Sequence, residues 1–126
     1  MPVQVARSVD EALAGLGSDP ASELLAGGTD LMVDVNFGRR RLSNVIAIDR
    51  VPELREMAVG PRVRVGPGVT YTRMLSEDPG SDALRQAART VGSPQIRNAG
   101  TLGGNIANAS PAGDTLPLLL RRAALA

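Results

Sequence analysis

The sequence predicts a fold of mixed α-helices and β-strands, arranged as one domain or as two small lobes. A chain of 126 residues is too short for more than that. Its first third alternates strand-like and helix-like segments, with glycines at the turns between them. This order is typical of parallel strands joined by crossover helices. The composition changes after residues 49–52, and we therefore predict one lobe over residues 1–55 and a second over residues 56–126.

The first predicted strand and helix occupy the N-terminal region. Residues 1–7 are short and partly alternating in polarity, as expected of a strand. Ser8 has the pattern of a helix N-cap, and Glu11 three residues later completes a reciprocal capping box. The helix over residues 9–16 is predicted to end at Gly17, since glycine commonly follows the last helical turn.

Two further strands and one helix complete the first predicted lobe. Residues 23–26 form a brief apolar strand that runs into a pair of glycines. Thr29 can cap a helix over residues 30–37, and Gly38 should stop it. The next strand covers residues 44–48 and is rich in β-branched side chains.

The second predicted lobe begins with a strand and is otherwise mainly helical. Val63 and Val65 alternate with arginines between glycine–proline turns, which indicates a strand with one exposed face. Three helices follow, and each is preceded by a hydroxyl or carboxyl side chain that can cap it. They are predicted over residues 71–76 after Thr70, 82–91 after Ser81, and 115–124 after Asp114.

The composition excludes several classes of function. The net charge is +1 and Phe37 and Tyr71 are the only aromatic residues, so no nucleic-acid surface is expected. The absence of cysteine and histidine excludes disulfides, iron–sulfur ligation and histidine-based catalysis by this chain, and no metal ligand is predicted. No apolar run approaches the roughly 20 residues that span a bilayer, and no signal peptide is recognisable. We therefore expect a cytoplasmic protein.

A pair of glycines lies at the first strand-to-helix turn, within residues 24–31. Taken alone this is a weak signal, because a tight turn with a hydroxyl N-cap would use the same residues. The alternative is a loop whose free N–H groups meet phosphate oxygens. Asp30 would be repelled by a phosphate, and it either caps its own helix or accepts a hydrogen bond from a ligand hydroxyl.

A second glycine-rich segment, residues 98–114, is harder to explain as a structural turn. A backbone with so little side-chain bulk can approach a ligand closely, and its N–H groups can bind negatively charged oxygens. We expect a side chain introduced at Gly103 to occupy ligand space. Polar contacts are available from Thr101, Asn105, Asn108 and Asp114. Two such segments in one short chain predict an elongated, phosphate-bearing ligand held from two sides.

Several arginines allow two interpretations. The run from Arg39 to Arg41 is either a solvated loop or a contact to a ligand phosphate or a partner subunit. Arg97 either bridges to a phosphate or pairs with an acid across the lobe interface. No acid is paired with a histidine or cysteine, so no catalytic residue is predicted, and any chemistry would belong to a bound cofactor.

The two glycine motifs together resemble the FAD-binding, or medium, subunits of molybdenum hydroxylases of the xanthine dehydrogenase and carbon monoxide dehydrogenase type. The matching residues are 24–31, 95–106 and 109–111 with Asp114, in the order and spacing of that family. The resemblance implies an α+β, two-lobed flavin-binding domain of the vanillyl-alcohol-oxidase-like type. The second lobe is expected to be truncated, because family members continue well beyond this length.

The resemblance also implies the residues that contact FAD. The first motif supplies Leu25, Ala26, Gly27, Gly28, Thr29, Asp30 and Leu31. The second supplies Thr101, Leu102, Gly103, Gly104 and Asn105, with Asn108 and Asp114 further along the chain.

By the same resemblance, the function is electron relay within an oxidoreductase complex. A large subunit would hold molybdopterin and hydroxylate the substrate, and a small subunit would carry two [2Fe–2S] clusters. FAD would pass the electrons to NAD, a quinone, oxygen or another acceptor, and the isolated chain is expected to be inactive. The main alternative is a nonenzymatic remnant, or subunit-docking module, that does not hold flavin. A third interpretation is a protein that binds a nucleotide ligand other than FAD.

Overall fold

The computed structural model describes residues 2–110 and 113–125, with side chains as far as residue 120. Met1, Pro111, Ala112 and Ala126, which fall within predicted segments, lie outside this description. The described elements are β1 Val3–Val5, α1 Val9–Ser18, β2 Ser22–Leu25, α2 Leu31–Asn36, β3 Asn44–Ala47, a 3-10 helix Pro52–Arg55, β4 Met57–Ala58, β5 Arg64–Val65, α3 Tyr71–Ser76, α4 Asp82–Thr90, α5 Pro94–Ala99, α6 Leu102–Asn108 and α7 Leu116–Leu125.

The first three strands form a parallel sheet in the order β1-β3-β2, as their alternation with helices predicts. Val5 of β1 and Leu25 of β2 both pair with Ala47 of the central strand β3. All three strands therefore reach their carboxyl ends at the same edge of the sheet. Loops at such an edge commonly form ligand sites, and the loop after β2 leaves from there. Strands β4 and β5 form a separate antiparallel pair.

Most helix starts in the structure follow the predicted capping pattern. Ser8 Oγ accepts a hydrogen bond from Glu11 N at 3.1 Å, but the Glu11 carboxylate accepts from Arg7 N rather than from Ser8 N. Thr70 and Ser81 cap α3 and α4 as expected. A hydroxyl that accepts from the N–H three residues later satisfies a donor that would otherwise have no partner at the helix start.

The cap predicted at Thr29 is wrong. Helix α2 begins at Leu31, and Asp30 occupies the N-cap position without a side-chain cap hydrogen bond. Asp30 has helical backbone angles, φ −104° and ψ −50°, whereas a capping side chain normally needs an extended backbone at that position. The Asp30 carboxylate is therefore not engaged by its own helix.

Two hydrophobic clusters form the core. The first packs α1 on the sheet and contains Ala6, Ala12, Ile46 and Val51. The second joins α3, α4 and α6 and contains Val69, Tyr71, Met74, Leu84, Ala88, Val91 and Leu102. The members of the first cluster precede residue 55 and those of the second follow it. The division of the chain into lobes at that position stays a prediction.

Gly27 lies in close backbone contact with α5. A Cβ atom at this position would overlap the carbonyl oxygen of Ala99, so no larger residue fits without a shift of the backbone. The contact joins the loop after β2 to the junction of α5 and α6. It fixes the distance between the two glycine motifs.

The segment predicted to be an open glycine-rich loop is largely helical. Ser93 caps α5, and Thr101 caps α6 by accepting from Gly104 N. Helix α7 begins at Leu116, one residue later than expected, and Asp114 bonds to Thr90 Oγ1 at 3.0 Å. Within the described residues, no helix is long and apolar enough to cross a membrane.

Candidate functional site

A cavity of about 800 Å³ lies between the loop after β2 and helix α6. This volume is within the usual range for small-molecule sites, roughly 300–1,000 Å³. All of the predicted contact residues except Leu102 line it: Leu25, Ala26, Gly27, Gly28, Thr29, Asp30, Leu31, Thr101, Gly103, Gly104, Asn105, Asn108 and Asp114. Leu102 is buried in the second hydrophobic cluster instead. The structure therefore brings the two motifs to one cavity.

The loop after β2 has a row of backbone N–H groups without acceptors. Within residues 2–110 and 113–125, no protein group accepts a hydrogen bond from the N–H of any residue from Gly27 to Leu31. Gly28 has φ +71°, a left-handed conformation that glycine adopts without strain and that lets the chain turn here. Backbone donors normally find partners, so five successive free N–H groups indicate a surface suited to an anion.

The start of α6 differs, because its N–H groups are already bonded within the chain. The bonds are Leu102 N to Val69 O at 3.1 Å, Gly103 N to Pro67 O at 2.8 Å, Gly104 N to Thr101 Oγ1 at 3.1 Å, and Asn105 N to Thr101 O at 3.1 Å. These donors are not free for a phosphate in this conformation. The α6 side of the cavity presents side chains and the open face of a glycine.

The two central glycines of α6 have different surroundings. A Cβ atom at Gly103 would lie 2.5 Å from Pro67 Cβ and 2.8 Å from Pro67 O, so it would collide with the protein itself. The expectation that a side chain here occupies ligand space is therefore wrong. At Gly104 an added Cβ would meet, among the described residues, only Thr101 Oγ1 at 3.1 Å. Because Gly104 also lines the cavity, a larger side chain there would extend into it.

Asn105 is held by a buried hydroxyl. The Thr115 hydroxyl is fully buried and donates a hydrogen bond to Asn105 Oδ1. This bond commits the amide oxygen of Asn105 to the protein. The amide NH₂ group of Asn105 then remains as a donor toward the cavity, which suits a ligand that presents oxygen acceptors.

The sequence analysis missed Tyr71, which lines the same cavity. Burial, and to a smaller extent the carboxylates of Asp114 and Asp30, raises the pKa of Tyr71 to about 12. The nearby Thr115 hydroxyl has the smallest of these effects and lowers the pKa, but it is not in hydrogen-bonding geometry with Tyr71 Oη. The phenol is therefore neutral at pH 7. No sequence motif marks this residue, since only the fold places its hydroxyl near two acids from distant segments.

The positions of Arg39 and Arg40 decide between the two interpretations of the arginine run in part. Arg40 pairs with Glu23, and both residues lie at the edge of the cavity. Arg39 pairs with Asp34 at 3.3 Å and lies over the Phe37 ring, 5.0 Å from its centroid, so it belongs to the solvated loop.

Arg97 follows neither of its two predicted roles. Its guanidinium donates to Val91 O at 2.9 Å and to Gly92 O at 3.2 Å. These carbonyls follow the last turn of α4, where a cation is electrostatically favourable. Arg97 therefore links α5 to the end of α4, and it does not line the cavity.

The donor set of the cavity fits a dinucleotide better than a metal. No group of three or more histidine, cysteine, aspartate or glutamate residues in the described part of the chain could hold a metal ion. The cavity instead combines free N–H groups, the Asn105 amide, an apolar wall and three carboxylates, of which Glu23 is paired with Arg40. The apolar wall includes Pro67, Val91 and Ile96, which the sequence analysis did not identify.

Comparison with known proteins gives a consistent result. Residues 1–125 match the family model described as the FAD binding domain in molybdopterin dehydrogenase. The xanthine dehydrogenase FAD-binding subunit of Escherichia coli O157:H7 is 32% identical over 115 residues, which are 87% of this chain and 39% of that protein. The carbon monoxide dehydrogenase medium chain of Hydrogenophaga pseudoflava is 38% identical over 116 residues, again 39% of that protein.

The fold also matches solved structures. A carbon monoxide dehydrogenase from Hydrogenophaga pseudoflava superposes with a TM-score of 0.84 at 32% identity, covering 90% of this chain and 41% of that one. Quinoline 2-oxidoreductase from Pseudomonas putida 86 superposes with a TM-score of 0.81 at 27% identity, covering 87% of this chain and 40% of that one. The chain therefore spans about 40% of the length of these four proteins.

Proposed function

Since the chain belongs to the family of FAD-binding domains in molybdopterin dehydrogenases, we propose that it holds the pyrophosphate of FAD in the loop after β2. The predicted α+β fold of a flavin-binding domain agrees with the matched structures. The single observation that supports the pyrophosphate assignment is the row of free N–H groups from Gly27 to Leu31. Each of these donors can bind a phosphate oxygen without losing a bond to the protein.

The charges around the cavity support a particular orientation of the dinucleotide. The carboxylates of Asp30 and Asp114 would repel a phosphate, so the phosphates would bind the backbone N–H groups of the loop on the side away from these two side chains. Sugar hydroxyls suit the two carboxylates, because a hydroxyl donates a hydrogen bond that a carboxylate accepts. The Asn105 amide can donate to either kind of oxygen.

The proposed role of the chain in the complex is to hold and orient FAD. When bound, FAD would supply the redox chemistry, taking electrons from iron–sulfur clusters of a small subunit for delivery to NAD, a quinone, oxygen or another acceptor. A molybdopterin-binding large subunit would oxidise the substrate. The sequence contains neither cysteine nor histidine, the usual ligands of iron–sulfur clusters, so the clusters are assigned to the small subunit. A cytoplasmic location remains part of the proposal.

One observation favours the alternative of a docking module that does not hold flavin. The first N–H groups of α6 are bonded within the chain, so only one of the two predicted phosphate cradles has free donors. If the loop after β2 is insufficient by itself, the cavity would not retain FAD.

Titration of the 126-residue chain with FAD separates these functions. We expect saturable binding, seen as a change in flavin fluorescence, and a melting temperature that rises with FAD concentration. A folded chain that shows neither response would support the docking module. Equal affinity for ADP-ribose and FAD would instead indicate a nucleotide site that ignores the flavin.

A further inference from the structure

Tyr71 carries a polar group that the folded chain does not use. The residue is 3% exposed, and its hydroxyl has no hydrogen-bond partner within the described residues. The closest neutral candidate, the Thr115 hydroxyl, is bonded to Asn105. Burial of an unbonded hydroxyl costs free energy, and a phenylalanine would fill the same space without that cost.

The position of the Tyr71 ring is fixed by its packing. The ring belongs to the second hydrophobic cluster, and a Cβ atom at Gly100 would come within 3.1 Å of its Cδ2 and Cε2 atoms. Tyr71 N also donates to Gly100 O at 3.2 Å. The ring is therefore held in place by its backbone and by packing, in a residue that lines the cavity.

Two carboxylates that line the same cavity act electrostatically on this hydroxyl. Asp30 belongs to the loop after β2, and Asp114 precedes α7. Both raise the pKa of the phenol, so the hydroxyl remains protonated and can donate a hydrogen bond. Because both neighbours are negatively charged, an uncharged ligand oxygen is favoured here over a phosphate oxygen.

We propose that Tyr71 binds a sugar hydroxyl of the dinucleotide, donating its own hydrogen bond to the oxygen of that hydroxyl. The sugar hydroxyl would in turn donate to Asp30 or Asp114, so that all three polar groups have partners. This assignment rests on the proposed function, because it requires a ligand with hydroxyls next to a pyrophosphate. The ribose and the ribityl chain of FAD both have this chemistry.

The replacement Tyr71→Phe tests the assignment, because it removes one oxygen and leaves the packing unchanged. We expect the FAD dissociation constant to rise about tenfold, as for the loss of one buried hydrogen bond. The melting temperature of the ligand-free variant should not fall, since the hydroxyl has no partner in the free protein. Titration with ADP distinguishes the two sugars: weaker ADP binding indicates the ribose, and unchanged ADP binding indicates the ribityl chain.

Thr72→Val is the matched control, because it removes a neighbouring hydroxyl from a residue that does not line this cavity. It should leave FAD affinity unchanged. Equal FAD affinity in the wild type and Tyr71→Phe would overturn the role of Tyr71 but not the FAD site. A lower melting temperature of the free Tyr71→Phe variant would also overturn it, because the hydroxyl would then have a structural partner. A wild-type chain that binds neither FAD nor ADP would overturn both proposals.

Discussion

The loop after β2 and the first turn of α6 contain similar residues, but they differ in whether their backbone N–H groups are hydrogen-bonded within the chain. Both contain a pair of glycines and a threonine, and both line the same cavity. From Gly27 to Leu31 the N–H groups have no acceptor among the described residues. From Leu102 to Asn105 every N–H group is bonded to the chain itself. Glycine content alone therefore does not identify a phosphate cradle, and the partners of the N–H groups must be known.

The difference arises because the start of α6 has acceptors within reach, namely its cap Thr101 and the carbonyls of Pro67 and Val69. Thr101 has an extended backbone, φ −120° and ψ 154°, and its hydroxyl can reach the N–H three residues later. Asp30 precedes α2 with helical angles and caps nothing. Gly27 lies against the Ala99 carbonyl, so packing from another part of the molecule restricts the loop at this position.

The largest effect is expected at Gly27, where the loop touches α5. Gly27→Ala places a Cβ atom on the Ala99 carbonyl oxygen, and neither backbone can move freely. We expect a loss of about 3 kcal/mol in the free energy of unfolding, measured by urea denaturation. Gly17→Ala is the control, because a Cβ atom there meets nothing within 4 Å and the position is helical. The control should be as stable as the wild type or more stable by up to about 1 kcal/mol. An equal loss of stability in both variants would contradict the close contact at Gly27.

The two glycines of α6 should respond differently from each other. Gly103→Ala is expected to lower the free energy of unfolding by about 2 kcal/mol, because its Cβ atom would collide with Pro67. Gly104→Val should leave the chain folded but weaken FAD binding about tenfold or more, because its side chain would enter the cavity. Melting of the free protein and FAD titration separate the two results. Unchanged FAD affinity in a folded Gly104→Val variant would remove α6 from the site.

A smaller effect is expected where Thr115 orients Asn105. Thr115→Val keeps the side-chain shape but leaves Asn105 Oδ1 without its buried donor, so the amide is free to rotate. We expect FAD affinity to fall severalfold, corresponding to about 1 kcal/mol, and stability to fall by a similar amount. Thr115→Ser restores the hydroxyl and should recover most of the affinity. If Thr115→Ser binds no better than Thr115→Val, the hydroxyl does not orient Asn105.

The smallest effect is expected at Arg40. Its side chain is half exposed and paired with Glu23, so Arg40→Ala should change the free energy of unfolding by less than about 1 kcal/mol. FAD affinity should remain within about twofold of the wild type if the N–H groups of the loop bind the pyrophosphate. Arg39→Ala, further from the cavity, serves as the control. A tenfold loss confined to Arg40→Ala would mean that this arginine binds a phosphate.

Much of the fold could be predicted because its signals are local. The capping side chains Ser8, Thr70 and Ser81 each bond to an N–H three residues away, and sequence spacing reveals this directly. The parallel order of the sheet follows from alternating strands and helices. The two glycine motifs could also be recognised as lining one site, since both are continuous in sequence.

The remaining features depend on contacts that local sequence does not contain. The sequence did not predict helix α6, because Gly103 and Gly104 are poor helix formers. The helix tolerates them because Gly103 packs against Pro67. Leu102 lies within a predicted contact motif, yet its side chain turns into the core. Arg97 bonds to carbonyls at the end of α4, and Tyr71 meets acids from two distant segments. Each of these positions is set by tertiary packing.

The most direct test of the central claim is an amide NMR titration of the ¹⁵N-labelled chain with FAD. We expect the amide protons of residues 27–31 to shift downfield as they bind phosphate oxygens, because these groups have no acceptor in the free chain. The amides of residues 102–105 should keep their hydrogen bonds and shift only slightly. Large downfield shifts at residues 102–105, with residues 27–31 unchanged, would contradict the assignment of the pyrophosphate to the loop after β2.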